Sequence, residues 1–123
     1  MAKILLVDDD VDFIEINRDL LESEGHKIIY AYNPDDGMKL LRSEKPDLII
    51  LDVMMQEPDD GFAMAQKIKK EKINIPILLL TSISKITGLN FEKDEKMLPV
   101  KEILEKPVSR EKLLESVKNC LKS

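Results

Sequence analysis

The fold of this chain is decided by one short stretch of sequence, Asp47-Leu48-Ile49-Ile50-Leu51-Asp52. Its four central residues are apolar, and the stretch lies between Pro46 and a turn-rich segment that ends at Gly61. An unbroken apolar run of this length predicts a parallel β-strand that is buried on both faces. Such a strand would bring the carboxylate of Asp52 to the edge where open parallel sheets bind ligands, although a strand-ending aspartate can also simply cap a turn.

Further apolar segments show the same pattern and predict more strands. They lie at Ile4–Val7, Ile28–Ala31, Pro76–Leu80 and Ile103–Leu104. Apolar residues at helical spacing follow these segments, except the one that ends at Leu80, and predict helices. Strands that alternate with helices form right-handed crossovers and a mostly parallel sheet that is covered on both sides. We therefore expect an α/β fold, a three-layer sandwich of five strands and five helices.

Several helix boundaries have clear signals. Asp10 precedes the first helical stripe and is expected to be its N-cap, and Gly25 suits the left-handed position after that helix. Pro34 opens the second helix, where proline is accepted in the first turn. Between Ser84 and Val100 no single period accounts for the apolar residues. We therefore expect the fourth helix to be short or irregular.

Length and composition exclude several classes of protein. A chain of 123 residues fits one domain. The formal net charge of −5 argues against a basic surface for nucleic acid, and no apolar run approaches the roughly 20 residues of a membrane span. The first residues have too few apolar positions for a signal peptide, so we expect a cytoplasmic protein. The single cysteine, Cys120, excludes an internal disulfide and is expected to be buried.

The predicted strands end in residues that can carry chemistry, and in a parallel sheet these ends share one edge. In chain order the residues are Asp8, Asp9, Asp52, Thr81 and Lys106. Two carboxylates repel by about 4 kcal/mol at about 4 Å and an effective dielectric constant of about 20, which favours a bound divalent cation. Oxygen ligands in a small acidic pocket favour Mg²⁺. A hydroxyl and an ammonium group beside that cation suit a phosphoryl group, so the pattern predicts phosphoryl transfer onto a carboxylate.

Four short motifs have the order and spacing of a known family. They are Val7-Asp8-Asp9-Asp10, Leu51-Asp52-Val53-Met54-Met55, Leu80-Thr81-Ser82 and Glu105-Lys106-Pro107. Together they resemble the receiver domain of response regulators in two-component signalling, and the resemblance covers essentially the whole chain. It implies a flavodoxin-like fold with strand order 2-1-3-4-5. We expect one receiver domain over residues 1–123 and no output domain, either as a stand-alone receiver or as a domain excised from a longer chain. The resemblance also implies a phosphorelay protein, not a turnover enzyme, that receives its phosphoryl group from a histidine kinase or a histidine phosphotransfer protein.

The resemblance assigns a role to each acidic residue of the site. Asp52 would be the phosphoacceptor. Asp9 and Asp52 would bind Mg²⁺ directly, together with the backbone carbonyl of Met54. Asp8 would act on the metal largely through water.

The resemblance also assigns the residues that respond to phosphorylation. Thr81 and Lys106 would receive the phosphoryl oxygens. Pro107 would follow a cis peptide, an option specific to proline that can aim the lysine inward. The surface formed by the fourth helix and the fifth strand would then switch and contact an output partner that the sequence does not identify.

Three features depart from the family pattern. Gly61 lies nine positions after Asp52, where the family usually has eight, and Gln56 replaces the customary proline. We therefore expect a reshaped loop after Asp52. Ile103 replaces the usual aromatic residue of the fifth strand, which predicts altered output coupling. The segment between Thr81 and Lys106 is long, and we expect it to be mobile or rebuilt.

Two other functions fit parts of the same pattern. An aspartate-nucleophile phosphohydrolase would use the Asp-x-Asp motif formed by Asp8 and Asp10, but it requires a further acidic motif beyond Lys106. A receiver-like module that binds partners without phosphorylation would be compatible with Ile103. Incubation with Mg²⁺ and acetyl phosphate separates a phosphorylated receiver from both alternatives.

Overall fold

The computed structural model describes residues 2–53, 55, 60–81, 100–106 and 108–122. These residues contain five β-strands and four α-helices, which alternate along the chain as far as the fourth strand. The strands are β1 (Lys3–Val7), β2 (Lys27–Ala31), β3 (Leu48–Asp52), β4 (Ile77–Thr81) and β5 (Glu102–Glu105). The helices are α1 (Val11–Ser23), α2 (Pro34–Glu44), α3 (Asp60–Lys70) and α4 (Arg110–Leu121). The stretch from Asp47 to Asp52 thus contains strand β3, and all five residues from Leu48 to Asp52 are buried.

All five strands form one parallel sheet in the order β2-β1-β3-β4-β5, which confirms the predicted topology. In the register of the central strands, Val7 pairs with Leu51, and Asp52 pairs with Leu80. The carboxyl ends of β1, β3 and β4 therefore lie at the same edge of the sheet. This register brings the predicted site residues of three strands together.

The core consists of two apolar layers, one on each face of the sheet. Alternate residues of β1 illustrate this division, since Ile4 and Leu6 pack under α1 and α4, whereas Leu5 and Val7 pack under α2 and α3. Side chains of a strand point alternately to opposite faces. Continuous apolar runs thus supply both layers, and the predicted three-layer sandwich is confirmed.

The helix boundaries agree with the local signals in the sequence. Asp10 caps α1, and its side chain accepts a hydrogen bond from the backbone N–H of Phe13 at 3.2 Å. Gly25 follows that helix with φ of 92°, the left-handed conformation that favours glycine. Cys120 is buried, as expected. Within the described ranges, none of the helices has the length and apolar content that a bilayer span requires.

Some of the predictions fall outside the described residues. The fourth of the five predicted helices corresponds mostly to residues 82–99, and the described residues contain the other four. Met54, a predicted source of a metal ligand, and Pro107, the predicted cis-proline, also lie outside the described residues.

Candidate functional site

Three carboxylates meet at the carboxyl edge of the sheet. Asp8 and Asp9 follow β1, Asp52 ends β3, and each contributes an oxygen that lies within 4.8 Å of those of the other two. Asp8 and Asp52 are buried, with exposed fractions of 2% and 8%, whereas Asp9 is exposed. Carboxylate oxygens in this arrangement can hold a metal ion such as Mg²⁺.

Lys106 brings a positive charge to the same carboxylates. Its Nζ lies 2.7 Å from Oδ2 of Asp8 and 3.6 Å from Oδ1 of Asp52. The backbone N–H of Lys106 donates a hydrogen bond to the carbonyl oxygen of Thr81 at 2.6 Å. The residue after β5 is thus held against the end of β4, so that the lysine reaches across to β1 and β3.

The surroundings of Asp52 disfavour the ionised form of its carboxyl group relative to the protonated form. Its pKa is raised from 3.8 to about 7. Removal of the carboxylate from water is the main cause, the charge of Asp8 adds to it, Lys106 opposes it, and Asp9 adds a further increase. One ammonium group therefore does not neutralise the three carboxylates, and a bound cation would relieve the excess negative charge.

Thr81 contributes a buried hydroxyl group at the end of β4. The residue is 1% exposed, and its Oγ1 has no hydrogen-bond partner among the described residues. A buried polar atom without a partner costs about 1–3 kcal/mol. Such an atom is suited to a ligand that supplies the missing partner, and a phosphoryl oxygen could do so.

The backbone around Asp52 is held by the start of α3. The N–H of Gly61 donates a hydrogen bond to the carbonyl oxygen of Val53 at 2.7 Å. A Cβ atom built at Gly61 would lie 2.2 Å from the backbone oxygen of Asp52 and 2.6 Å from Cα of Val53. Only glycine allows the helix to approach the end of β3 this closely.

Sequence reasoning did not identify two residues that shape the site, Phe13 and Gly61. The ring of Phe13 lies under the ammonium group of Lys106, with Nζ 4.1 Å from the ring centroid. In the sequence Phe13 is only one apolar residue of a helical stripe. In the sequence Gly61 stands out only by its spacing from Asp52, although a glycine within a helical pattern costs stability and so indicates a packing constraint.

The sequence is similar to a protein family and to several of its members. The family model described as the response regulator receiver domain matches residues 4–118. The alkaline phosphatase synthesis transcriptional regulatory protein PhoP of Bacillus subtilis is 35% identical over 99 residues, which cover 77% of this chain and 41% of PhoP. The probable transcriptional regulator ycf27 of Porphyra purpurea is 32% identical, and the match covers 98% of this chain and 47% of ycf27. The chain thus spans less than half of these two relatives, but the match to protein PilH of Pseudomonas aeruginosa, at 32% identity, covers 98% of both chains.

Solved structures agree with these sequence matches. A CheY-like receiver domain protein from Methanospirillum hungatei superimposes with a TM-score of 0.87 at 23% identity, over 99% of this chain and 94% of that one. NtrX from Brucella abortus, solved with ADP, has a TM-score of 0.83 at 25% identity, over 98% of this chain and 26% of NtrX. The fold, the edge of acidic residues and the match over residues 4–118 lead to the same conclusion, that the chain belongs to the family of response regulator receiver domains.

Proposed function

We propose that the chain works in the cytoplasm as a phosphorelay receiver, which takes a phosphoryl group onto Asp52 from a histidine kinase or a histidine phosphotransfer protein. The observation that carries this proposal is that Asp52 lies close both to other carboxylates and to an ammonium group. Its carboxylate lies within 4.8 Å of those of Asp8 and Asp9 and 3.6 Å from the ammonium group of Lys106. This arrangement can bind both a cation and the oxygens of an incoming phosphoryl group.

In the proposed transfer, an oxygen of the Asp52 carboxylate attacks phosphorus and forms a new O–P bond. The bond between phosphorus and the donor histidine nitrogen breaks, and its electron pair stays on the imidazole. Mg²⁺ held by Asp8, Asp9 and Asp52 would supply positive charge to the carboxylates and to the phosphoryl oxygens. Because the pKa of Asp52 is about 7 without a cation, added positive charge favours the ionised, nucleophilic form of this residue.

Phosphorylation would then change the partners of Lys106 and Thr81. A phosphoryl group adds roughly −1.5 to −2 charge, so the ammonium group moves from Asp8 toward Asp52. The hydroxyl of Thr81 would gain the partner that it lacks among the described residues. Two bonds to a charged group are worth about 3–6 kcal/mol together, which is comparable to the roughly 5.5 kcal/mol that moves a two-state equilibrium from 1:99 to 99:1. The switch would act on β4, which ends at Thr81, and on β5, which Lys106 directly follows.

The proposal predicts that Asp52→Asn abolishes phosphorylation. The protein is incubated with Mg²⁺ and acetyl phosphate, and the intact mass is measured over time. The wild type is expected to gain one labile phosphoryl group, and Asp52→Asn none. Asp10→Asn is the matched control, since it makes the same change two residues from Asp8, keeps a good N-cap and should still be phosphorylated.

Two outcomes of this assay would contradict the proposal. Steady release of phosphate that depends on Asp8 would indicate a phosphohydrolase. The geometry offers little support for that function, because the carboxylate of Asp10 accepts the capping hydrogen bond from Phe13. Absence of both an adduct and phosphate release would indicate a binding module.

A second prediction concerns Mg²⁺ at the three carboxylates. A ligand that binds only the folded state stabilises it, by about 2.7 kcal/mol at a concentration 100 times its Kd. The free energy of unfolding of the wild type is therefore expected to rise with Mg²⁺ concentration. Asp9→Asn should require at least about tenfold more Mg²⁺ for the same gain, whereas Asp10→Asn should match the wild type. Identical Mg²⁺ curves for the wild type and Asp9→Asn would exclude Asp9 as a ligand.

A further inference from the structure

The aromatic ring of Phe13 gives Lys106 an attractive partner that is not a carboxylate. Nζ of Lys106 lies 4.1 Å from the ring centroid, 2.7 Å from Oδ2 of Asp8 and 3.6 Å from Oδ1 of Asp52. A cation within about 6 Å of an aromatic centroid is attracted by the negative face of the ring. The ammonium group is therefore held by carboxylates and by an aromatic ring.

A chain of hydrogen bonds sets the position of Phe13 relative to the acidic residues. Oδ1 of Asp8 accepts a bond from the backbone N–H of Asp10 at 2.9 Å, and Oδ1 of Asp10 accepts one from the N–H of Phe13 at 3.2 Å. One turn later the side-chain amide of Asn17 donates to the carbonyl oxygen of Phe13 at 2.7 Å. The N-cap residue Asp10 is therefore bonded both to the carboxylate of Asp8 and to the backbone of Phe13. The Asp8 carboxylate and the Phe13 ring each contact the ammonium group of Lys106.

We propose that Phe13 is a positioning residue for Lys106. The aromatic ring of Phe13 keeps the lysine's ammonium group directed at Asp52 during phosphoryl transfer. The inference rests on the function proposed above. Before transfer, the ammonium group of Lys106 lies 2.7 Å from Asp8 and 3.6 Å from Asp52, so it has two carboxylates as alternative partners. A lysine stem is flexible and its head is strongly hydrated. The ring favours the rotamers that stay over the site, and without it more lysine side chains point into solvent.

The test is the rate of phosphorylation by acetyl phosphate in the presence of Mg²⁺, measured by intact mass. Phe13→Leu, which keeps an apolar side chain but removes the ring, is expected to lower the rate constant about three- to tenfold. Phe13→Tyr keeps the aromatic face and should stay close to the wild type. Phenylalanines with one, two and three ring fluorines at position 13 should slow the reaction progressively, because each fluorine weakens the negative face of the ring.

The fluorinated series separates an electrostatic role from a packing role, since it changes the charge distribution of the ring with little change in its size. If Phe13→Leu does not fold, the fluorinated series still tests whether the ring positions Lys106. Phe62→Leu is the matched control, because Phe62 is a partly buried phenylalanine on the opposite face of the sheet. Equal rates across the fluorinated series, or equal slowing by Phe62→Leu and Phe13→Leu, would overturn the inference while leaving the proposed function intact. A wild type that takes up no phosphoryl group would overturn both.

Discussion

Replacement of Gly61 by alanine is expected to lower the free energy of unfolding by about 3 kcal/mol or more. The new Cβ atom would lie 2.2 Å from the backbone oxygen of Asp52 and 2.6 Å from Cα of Val53. Atoms of the main chain cannot turn away as the end of a side chain can, so either α3 or the end of β3 must move. Overpacking of a core ordinarily costs about 1–3 kcal/mol, and overlap with the backbone places this substitution at or above the upper end.

The same movement would also disturb the proposed phosphoacceptor. The N–H of Gly61 donates to the carbonyl oxygen of Val53 at 2.7 Å, so the helix and the residue after Asp52 are joined directly. Displacement of either one shifts the carboxylate of Asp52 relative to Asp8 and Lys106. We therefore expect any folded Gly61→Ala protein to be phosphorylated more slowly than the wild type.

Gly37→Ala is the matched control for this prediction. Its Cβ would lie 3.0 Å from Cε of Met64 and 3.0 Å from Cγ2 of Val7, and the methionine end can move. Alanine in a helix interior gains up to about 1 kcal/mol over glycine, so the net change should stay within about 1 kcal/mol. Urea unfolding of both variants provides the measurement. Equal stability of Gly61→Ala and Gly37→Ala would show that the start of α3 is not constrained by the end of β3.

The proximity of the candidate site residues could be predicted because strand ends in a parallel sheet share an edge. Asp52 and Thr81 each stand at the end of an apolar run, and the runs alone indicate where each strand ends. The same argument, applied to β1, predicts the position of Asp8. The parallel register then brings these positions together, whatever the detailed packing of the helices.

The contacts that helices make with the site could not be predicted in the same way. The approach of Phe13 to Lys106 depends on how α1 packs across the sheet toward β5, which no local pattern specifies. The contact of Gly61 with the end of β3 depends on the loop between them. Helical periodicity identifies an apolar face, but it does not say which of its residues will reach the edge of the sheet.

Asp52→Asn is expected to stabilise the metal-free protein by up to about 4 kcal/mol above pH 7. In the folded protein the pKa of Asp52 is raised from 3.8 to about 7, so between these values the folded state binds more protons than the unfolded state. The free energy of unfolding therefore falls as the pH rises from about 4 to about 7, at about 1.36 kcal/mol for each unit of pKa difference. Asparagine carries no charge, so the free energy of unfolding of Asp52→Asn does not fall for this reason as the pH rises.

The pH dependence and the response to Mg²⁺ distinguish this cause from better packing. Around pH 4 both proteins carry an uncharged side chain at position 52, so the difference in stability should become small. At pH 8 saturating Mg²⁺ should also narrow the difference, because the cation relieves the repulsion among Asp8, Asp9 and Asp52 in the wild type. Asp10→Asn, whose carboxylate is not one of these three, should show neither effect. Burial and the acidic neighbours of Asp52 indicate that its ionised carboxylate destabilises the folded state. A lower stability of Asp52→Asn than of the wild type at pH 8 without Mg²⁺ would contradict this.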